Sequence, residues 1–160
     1  MKIHDFNDSI LVGEKGEEKV KKFLESRFPV VDLRDNKIYQ EQDIDFMSDN
    51  ENHYTFEVKT DTYTTGNMFL ETTSAMEINS IGWLYKTRAD YVLYYFVNYA
   101  RLVVLDRERL LAWFNENKDN LQEYRKLLKN TYSGGYYTTE GYAIPVKKIC
   151  ESVPHKVIVL

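Results

Sequence analysis

Residues 42–59 read QDIDFMSDNENHYTFEVK, two alternating runs around a polar centre. Asp43-Ile44-Asp45-Phe46-Met47 alternates acid with apolar side chains, and Tyr54-Thr55-Phe56-Glu57-Val58-Lys59 alternates again. Ser48-Asp49-Asn50-Glu51-Asn52 between them is a polar turn with no apolar residue, so the segment predicts an antiparallel β-hairpin. Strand side chains repeat every second residue, which puts Glu57 and Lys59 on one face and Phe56 and Val58 on the other. Asp45 lies in the opposite phase to Ile44 and Phe46, so Asp45, Glu57 and Lys59 converge on one side of the ribbon. Two carboxylates beside an ammonium at a strand end suggest a divalent metal site. The carboxylates hold a hard cation, and the ammonium steers an anionic substrate or its attacking water. The bland alternative is a same-face Glu57–Lys59 ion pair on an exposed sheet.

Asp45, eleven residues and then Glu57-Val58-Lys59 resembles the bipartite signature of the PD-(D/E)xK nuclease superfamily, without the proline that often precedes the aspartate. Upstream, residues 10–28 predict a helix with Asp8 or Ser9 as N-cap and Pro29 beyond its end. Val20, Phe23 and Leu24 form its apolar stripe, with Gly13 and Gly16 on the same side and Glu17 on the flank. Gly13-x-x-Gly16-Glu17 followed by Val20 and Leu24 is similar to the first helix of the resolvase-like branch, where a glutamate after the glycine joins the active site. The alternative for Glu17 is a boundary residue paired with Lys21 one turn on. Gln42-Asp43 stands where such relatives often have Gly-Glu before Ile-Asp, which makes Asp43 a further candidate beside its plain reading as a strand-end acid.

Downstream, Thr65-Gly66-Asn67, the apolar run Met68-Phe69-Leu70 and Glu71 resemble small phage-encoded members of the superfamily. So do Ser80-Ile81-Gly82 and Thr87-Arg88-Ala89-Asp90-Tyr91 ahead of the strand Val92–Val97. Met68–Thr73 is expected as a strand beside that of Glu57. Glu71 is a candidate substrate-site residue or a sheet-edge acid. Lys86 and Arg88 are candidate phosphate contacts or an exposed helix face.

The resemblance, which covers residues 13 to about 105, implies a restriction-endonuclease-like α/β fold, a mixed central sheet flanked by helices. It also implies a Mg²⁺- or Mn²⁺-dependent nuclease acting on nucleic acid, with DNA as the expected substrate. Asp45, Glu57, the carbonyl of Val58 and Glu17 would supply the metal ligands, and Lys59 would orient or deprotonate water or neutralise the phosphate. A junction-resolving member would be a homodimer. The competing class is a non-catalytic nucleic-acid-binding or phage accessory protein that retains the nuclease fold.

The 160 residues are 43% apolar and 14% aromatic, enough for one domain with a core at 10–105 and a helical and hairpin extension at 106–160. A net charge of −4 counts against non-specific nucleic-acid binding, which leaves a basic footprint, although a bound cation would neutralise an acidic cluster. The single cysteine, Cys150, excludes an intramolecular disulfide. No apolar run approaches the roughly 18 residues of a membrane span, and MKIHDFNDSI lacks a signal-peptide pattern, so a cytoplasmic location and no membrane partner are expected. For a phage-encoded chain that means the host cytoplasm. No Gly-rich phosphate loop, zinc spacing or Ser/His/Asp set is visible. His53 lacks the second histidine that HNH chemistry requires.

At the end of the core, Arg101–Leu105 is expected to return antiparallel after an Asn98-Tyr99-Ala100 turn, and Asp106 opens the extension by capping a helix. Leu121–Lys129 predicts an amphipathic helix. Tyr132-Ser133-Gly134-Gly135-Tyr136-Tyr137 reads either as hairpin packing or as a stacking surface for bases. The apolar Val157–Leu160 is expected to be buried, added to the sheet or used in a dimer.

Overall fold

Tyr91-Val92-Leu93-Tyr94-Tyr95-Phe96 shows no polar alternation, and such a strand needs cover on both faces. The computed structural model, which describes residues 3–160, provides that cover with a layer on each side. In chain order the first elements are β1 (Ile3–Asp5), α1 (Phe6–Glu25), β2 (Val30–Asp32), α2 (Lys37–Gln40), β3 (Phe46–Ser48), β4 (Thr55–Asp61), β5 (Asn67–Ala75) and β6 (Ser80–Ile81). There follow α3 (Trp83–Lys86), β7 (Tyr91–Phe96), β8 (Arg101–Asp106), α4 (Arg107–Asn117), β9 (Arg125–Tyr132), β10 (Gly135–Pro145), α5 (Val146–Cys150) and β11 (His155–Val159). A six-stranded sheet has the order β11-β8-β7-β4-β3-β2, and a five-stranded sheet the order β1-β9-β10-β5-β6. The larger sheet is mixed, because β4 and β7 run parallel while its other pairs are antiparallel.

Alternate residues of β7 enter different cores. Leu93 and Tyr95 pack with Phe56, Val58 and Leu102 against Val20 and Leu24 of α1. Val92, Tyr94 and Phe96 pack on the other face with Met68 and Leu70 of β5, Ile144 of β10 and Leu110 and Phe114 of α4. Tyr94 fastens the two sheets together: its hydroxyl donates to Asp61 Oδ2 at 2.8 Å and accepts from Phe69 N–H at 3.0 Å. Buried polar atoms of this kind stay paired because an unmade bond costs roughly 1–3 kcal/mol.

Several expectations are corrected. Helix α1 starts at Phe6, so Asp8 and Ser9 lie in its first turns and do not cap it. The strand at Met68–Thr73 is not beside Glu57. β4 takes β7 as its neighbour, and β5 joins the smaller sheet between β10 and β6. Arg125–Tyr132 is a strand and only Lys118–Tyr124 is helical, as a 3-10 turn. The helical spacing of Leu121, Tyr124, Leu127 and Leu128 is overridden by a long pairing of β9 with β10. That pairing makes the tyrosine-rich Gly-Gly segment a hairpin, as its packing reading had it. The Asp106 cap is present, with its side chain accepting from Arg109 N–H, and residues 155–159 do add a strand to the larger sheet.

The two helix glycines divide. A Cβ on Gly16 would overlap the Thr60 side chain of β4, whereas Gly13 faces open space. Gly16 is therefore what lets α1 lie against β4 and carry Glu17 to the sheet. Gly16→Ala is expected to destabilise the chain by about 1–3 kcal/mol through overpacking. Gly13→Ala should instead stabilise it by about 0.5–1 kcal/mol from helix propensity. Thermal melts of the pair check this, and equal effects of the two would contradict it.

Candidate active site

The hairpin is short, and its shortness makes the site. β3 pairs with β4 only at Phe46↔Phe56 and Met47↔Thr55, while β4 continues to Asp61 with β7 alone beside it. From Glu57 onward β4 thus has an open edge. Asp45 stands at the fork, just before β3 and across from Glu57 by register. Its N–H donates to the Phe56 carbonyl at 2.9 Å, and its Oδ2 accepts from Val58 N–H at 2.8 Å. The Glu57 and Asp45 carboxyls are near enough to act on each other electrostatically. Because the N–H and C=O of one strand residue point the same way, the Val58 carbonyl faces the same open side as its N–H.

Glu57 and Lys59 share the face that looks toward the smaller sheet, opposite Val92 and Tyr94 in register. Lys59 Nζ lies 2.5 Å from Glu57 Oε1 and 5.9 Å from the centre of the Trp83 ring. Glu71 reaches in from β5, with Oε1 accepting from Trp83 N–H at 3.2 Å. Lys59 and Glu71 both line a cleft of about 960 Å³ between the sheets, whose walls also include Thr62, Asn67, Phe69 and Lys126. The structure therefore brings Asp45, Glu57, Val58 and Lys59 together and sets Glu71 across the cleft from Lys59.

The other candidates are held by partners. Glu17 Oε2 takes Arg34 Nη1 at 3.4 Å, in place of the Lys21 pairing considered from sequence. Asp43 has a left-handed backbone (φ 46°) and its Oδ1 takes Lys86 Nζ at 2.8 Å. Lys86 is thus engaged by an acid on its own side of the site, while Arg88 is exposed and its backbone N–H donates to the Gln42 carbonyl. Arg34 had no sequence signal, since it lies in a turn. It clamps Asp32, Glu18 and Glu17 together. Lys126 was expected on a helix and reaches the cleft only because its segment is a strand.

Burial pushes Glu57 well above the ordinary carboxylate range; Asp45 and Asp43 add to that and the Lys59 ammonium opposes it. Burial likewise raises Asp45, against the Val58 N–H and Lys59. Glu17 is raised by burial and by the Asp45 carboxylate, and Glu71 by burial against Lys59. For Lys59 burial disfavours the charge, but the surrounding Glu57, Asp43 and Asp45 carboxylates outweigh it and hold the ammonium above the usual lysine value.

These directions set a pH dependence. A raised carboxyl keeps more protons folded than unfolded, so stability falls as pH rises from the ordinary carboxyl value, about 4, through the raised one. Asp32 and Glu18, lowered chiefly by their Arg34 hydrogen bonds, contribute stability that is lost as pH falls through their depressed values. The metal-free chain is accordingly expected to melt highest in mildly acidic solution, at roughly pH 5, and lower at pH 8. Melts in EDTA across that range test it, and a midpoint rising steadily to pH 8 would contradict it.

Asp45, Glu57 and the Val58 carbonyl are all oxygen donors on one open edge, which suits a hard divalent cation that keeps water or phosphate in its remaining positions. Among the described residues, no group of three or more His, Cys, Asp or Glu side chains is arranged to hold a metal ion. The oxygens that meet at the fork are those of two carboxyls, Asp45 and Glu57, and of the Val58 carbonyl. Comparison with protein-family models, curated proteins and solved structures finds no match for the chain.

Proposed function

We propose that the chain is a metal-dependent nuclease of the PD-(D/E)xK type, hydrolysing nucleic-acid phosphodiester bonds with DNA as its expected substrate. The observation that carries this reading is the fork itself. Asp45, Glu57 and Lys59 meet where β4 loses its β3 neighbour, with two carboxyls pushed up beside an ammonium held charged. Buried like-charged carboxyls raise the folded chain's energy, and a structural ion pair does not need the second of them. A cation at that position relieves the cost.

Asp45 and Glu57 would hold Mg²⁺ or Mn²⁺ with the Val58 carbonyl. The cation supplies Lewis-acid stabilisation of phosphate charge and a more acidic water. Both carboxyls must be deprotonated to bind it, so metal affinity rises with pH. Lys59 keeps its proton at neutral pH, which makes it a poor general base and a good fixed charge for the phosphate. Glu71, across from Lys59, sets the opposite wall, and Arg34 holds Glu17 beside Asp45 as a reserve of negative charge.

The test is a panel of labelled supercoiled, linear, single-stranded and four-way-junction DNA, and RNA, incubated with Mg²⁺, Mn²⁺ or EDTA. Metal-dependent cutting is expected, and the preferred substrate assigns the subclass. A second reading, a non-catalytic nucleic-acid-binding protein, draws on the site itself, since among the described residues no three acidic, His or Cys side chains are arranged to hold a metal ion. It gains if nucleic acid binds with no cutting under any metal. If neither cutting nor binding occurs, both readings fall.

A further inference from the structure

The far edge of the six-stranded sheet carries a second feature, independent of the nuclease reading. β11 is the edge strand, and its register with β8 shows which backbone groups it leaves free. Leu160 N–H donates to the Ala100 carbonyl at 3.0 Å, so Leu160, Ile158 and Lys156 direct their backbone toward β8. Direction alternates along a strand, so His155, Val157 and Val159 direct N–H and C=O away from the sheet. The Val157 and Val159 side chains are 56% and 68% exposed. An unpaired edge with exposed apolar residues is a template for another strand unless proline, a bulge or a short length blunts it. β11 has an unbroken five-residue register and no proline. Both edges have a proline just ahead of them, Pro154 before β11 and Pro29 before β2, but β2 has only three residues and its Asp32 is tied to Arg34.

The same face of β11 borders an apolar cavity of about 330 Å³. Phe96, Val103, Val146 and Val157 are among its walls, and Arg101, Lys147 and His155 also line it. No carboxylate lines it. In an added antiparallel strand, the residue hydrogen-bonded opposite Val157 shares Val157's face and meets the cavity mouth, and residues two places either side meet the basic groups.

We propose that the β11 edge docks an extended segment of a partner protein, added as a seventh strand, with the pattern acid-x-apolar-x-acid. The apolar side chain enters the cavity, the acids meet Arg101 and Lys147, and main-chain bonds to His155, Val157 and Val159 supply the rest. Charge chooses this occupant over a second copy. Two β11 strands paired about Val157 would bring Arg101 and Lys147 from each chain toward one another.

The probe is a fluorescein-labelled peptide, Thr-Glu-Thr-Leu-Thr-Glu-Thr, read by anisotropy with the full chain. Saturable binding tighter than about 1 mM is expected, at least about tenfold stronger than for the Lys-for-Glu peptide. Arg101→Glu should weaken it about tenfold, and N-methylation of the central leucine should abolish it. In an amide NMR titration, the shifts should centre on Val157 and Val159. Three results overturn the proposal: no saturation by about 1 mM, equal binding of the lysine peptide, or binding unchanged in Arg101→Glu. A dimer in sedimentation that Val157→Pro dissociates, and that excludes the peptide, also overturns it and assigns the edge to a second copy. None of these readouts depends on whether the chain cuts nucleic acid.

Discussion

Glu57→Gln is expected to melt at a higher temperature than the wild-type chain and to lose cleavage. The two effects have one cause. Glu57 is buried (3% exposed), and its carboxyl is pushed up by burial and by the Asp45 and Asp43 carboxylates despite Lys59 beside it. At neutral pH the metal-free chain must keep that group ionised at a cost or protonate it. Gln keeps the shape without the charge. Removing one partner of a buried pair ordinarily costs about 3–5 kcal/mol because the other charge is left alone. Here Asp43 and Asp45 remain to balance Lys59, so loss of the excess carboxylate is expected to leave a net gain. A gain of about 1–2 kcal/mol would raise the midpoint by roughly 3–6 °C in a chain of this size. Removing the carboxylate also removes a proposed metal ligand, so cleavage should fall by about 10³-fold or more. The wild-type midpoint should rise with added Mg²⁺ by linkage, and the Glu57→Gln midpoint should not. Melts with EDTA and with Mg²⁺, set beside cleavage rates, measure all three. A variant less stable than wild type in EDTA would mean that the Glu57–Lys59 pair is a net structural bond, and the site argument would fail.

Lys59→Ala should separate metal binding from catalysis. The Lys59 ammonium sits 2.5 Å from the Glu57 carboxylate, so it would compete with the proposed cation for that group. Without it, metal affinity measured by calorimetry should hold or increase at pH 8, where Glu57 is more readily ionised. Cleavage should still drop by about 10³-fold, because the phosphate loses its fixed positive charge. At lower pH the bare Glu57 carboxyl should take up a proton more easily than in wild type, which steepens the pH dependence of metal affinity. Cleavage within about tenfold of wild type would remove Lys59 from the mechanism. Loss of metal binding together with cleavage would instead show that the lysine holds the fork in shape.

The local chemistry of the site could be read from residues 42–59, because strand alternation is a property of the chain itself. It fixed that Glu57 and Lys59 share a face and that Asp45 approaches from the neighbouring run. Small residues on a helix suggest a close approach to a sheet, and of Gly13 and Gly16 only Gly16 makes one, against Thr60, while Gly13 faces open space. The Asp106 cap followed from a local rule as well, while the tyrosine segment and the final apolar run left alternatives that only the strand pairing decided.

Partners distant in sequence were not legible. The neighbour of β4 depends on which strand can cover its second side. β7, apolar on both faces, outcompetes β5, whose own partners β10 and β6 lie in a different sheet. Residues 125–129 carry helical spacing, yet become strand because the pairing of β9 and β10 satisfies more backbone groups than a short helix could. Those two choices create the cleft and bring Lys126 and Glu71 to it. The amino-acid sequence by itself therefore determined the chemical groups of the site and their phase along each strand. Only the tertiary structure decided what faces them, because alternation sets a side chain's direction and packing sets its company.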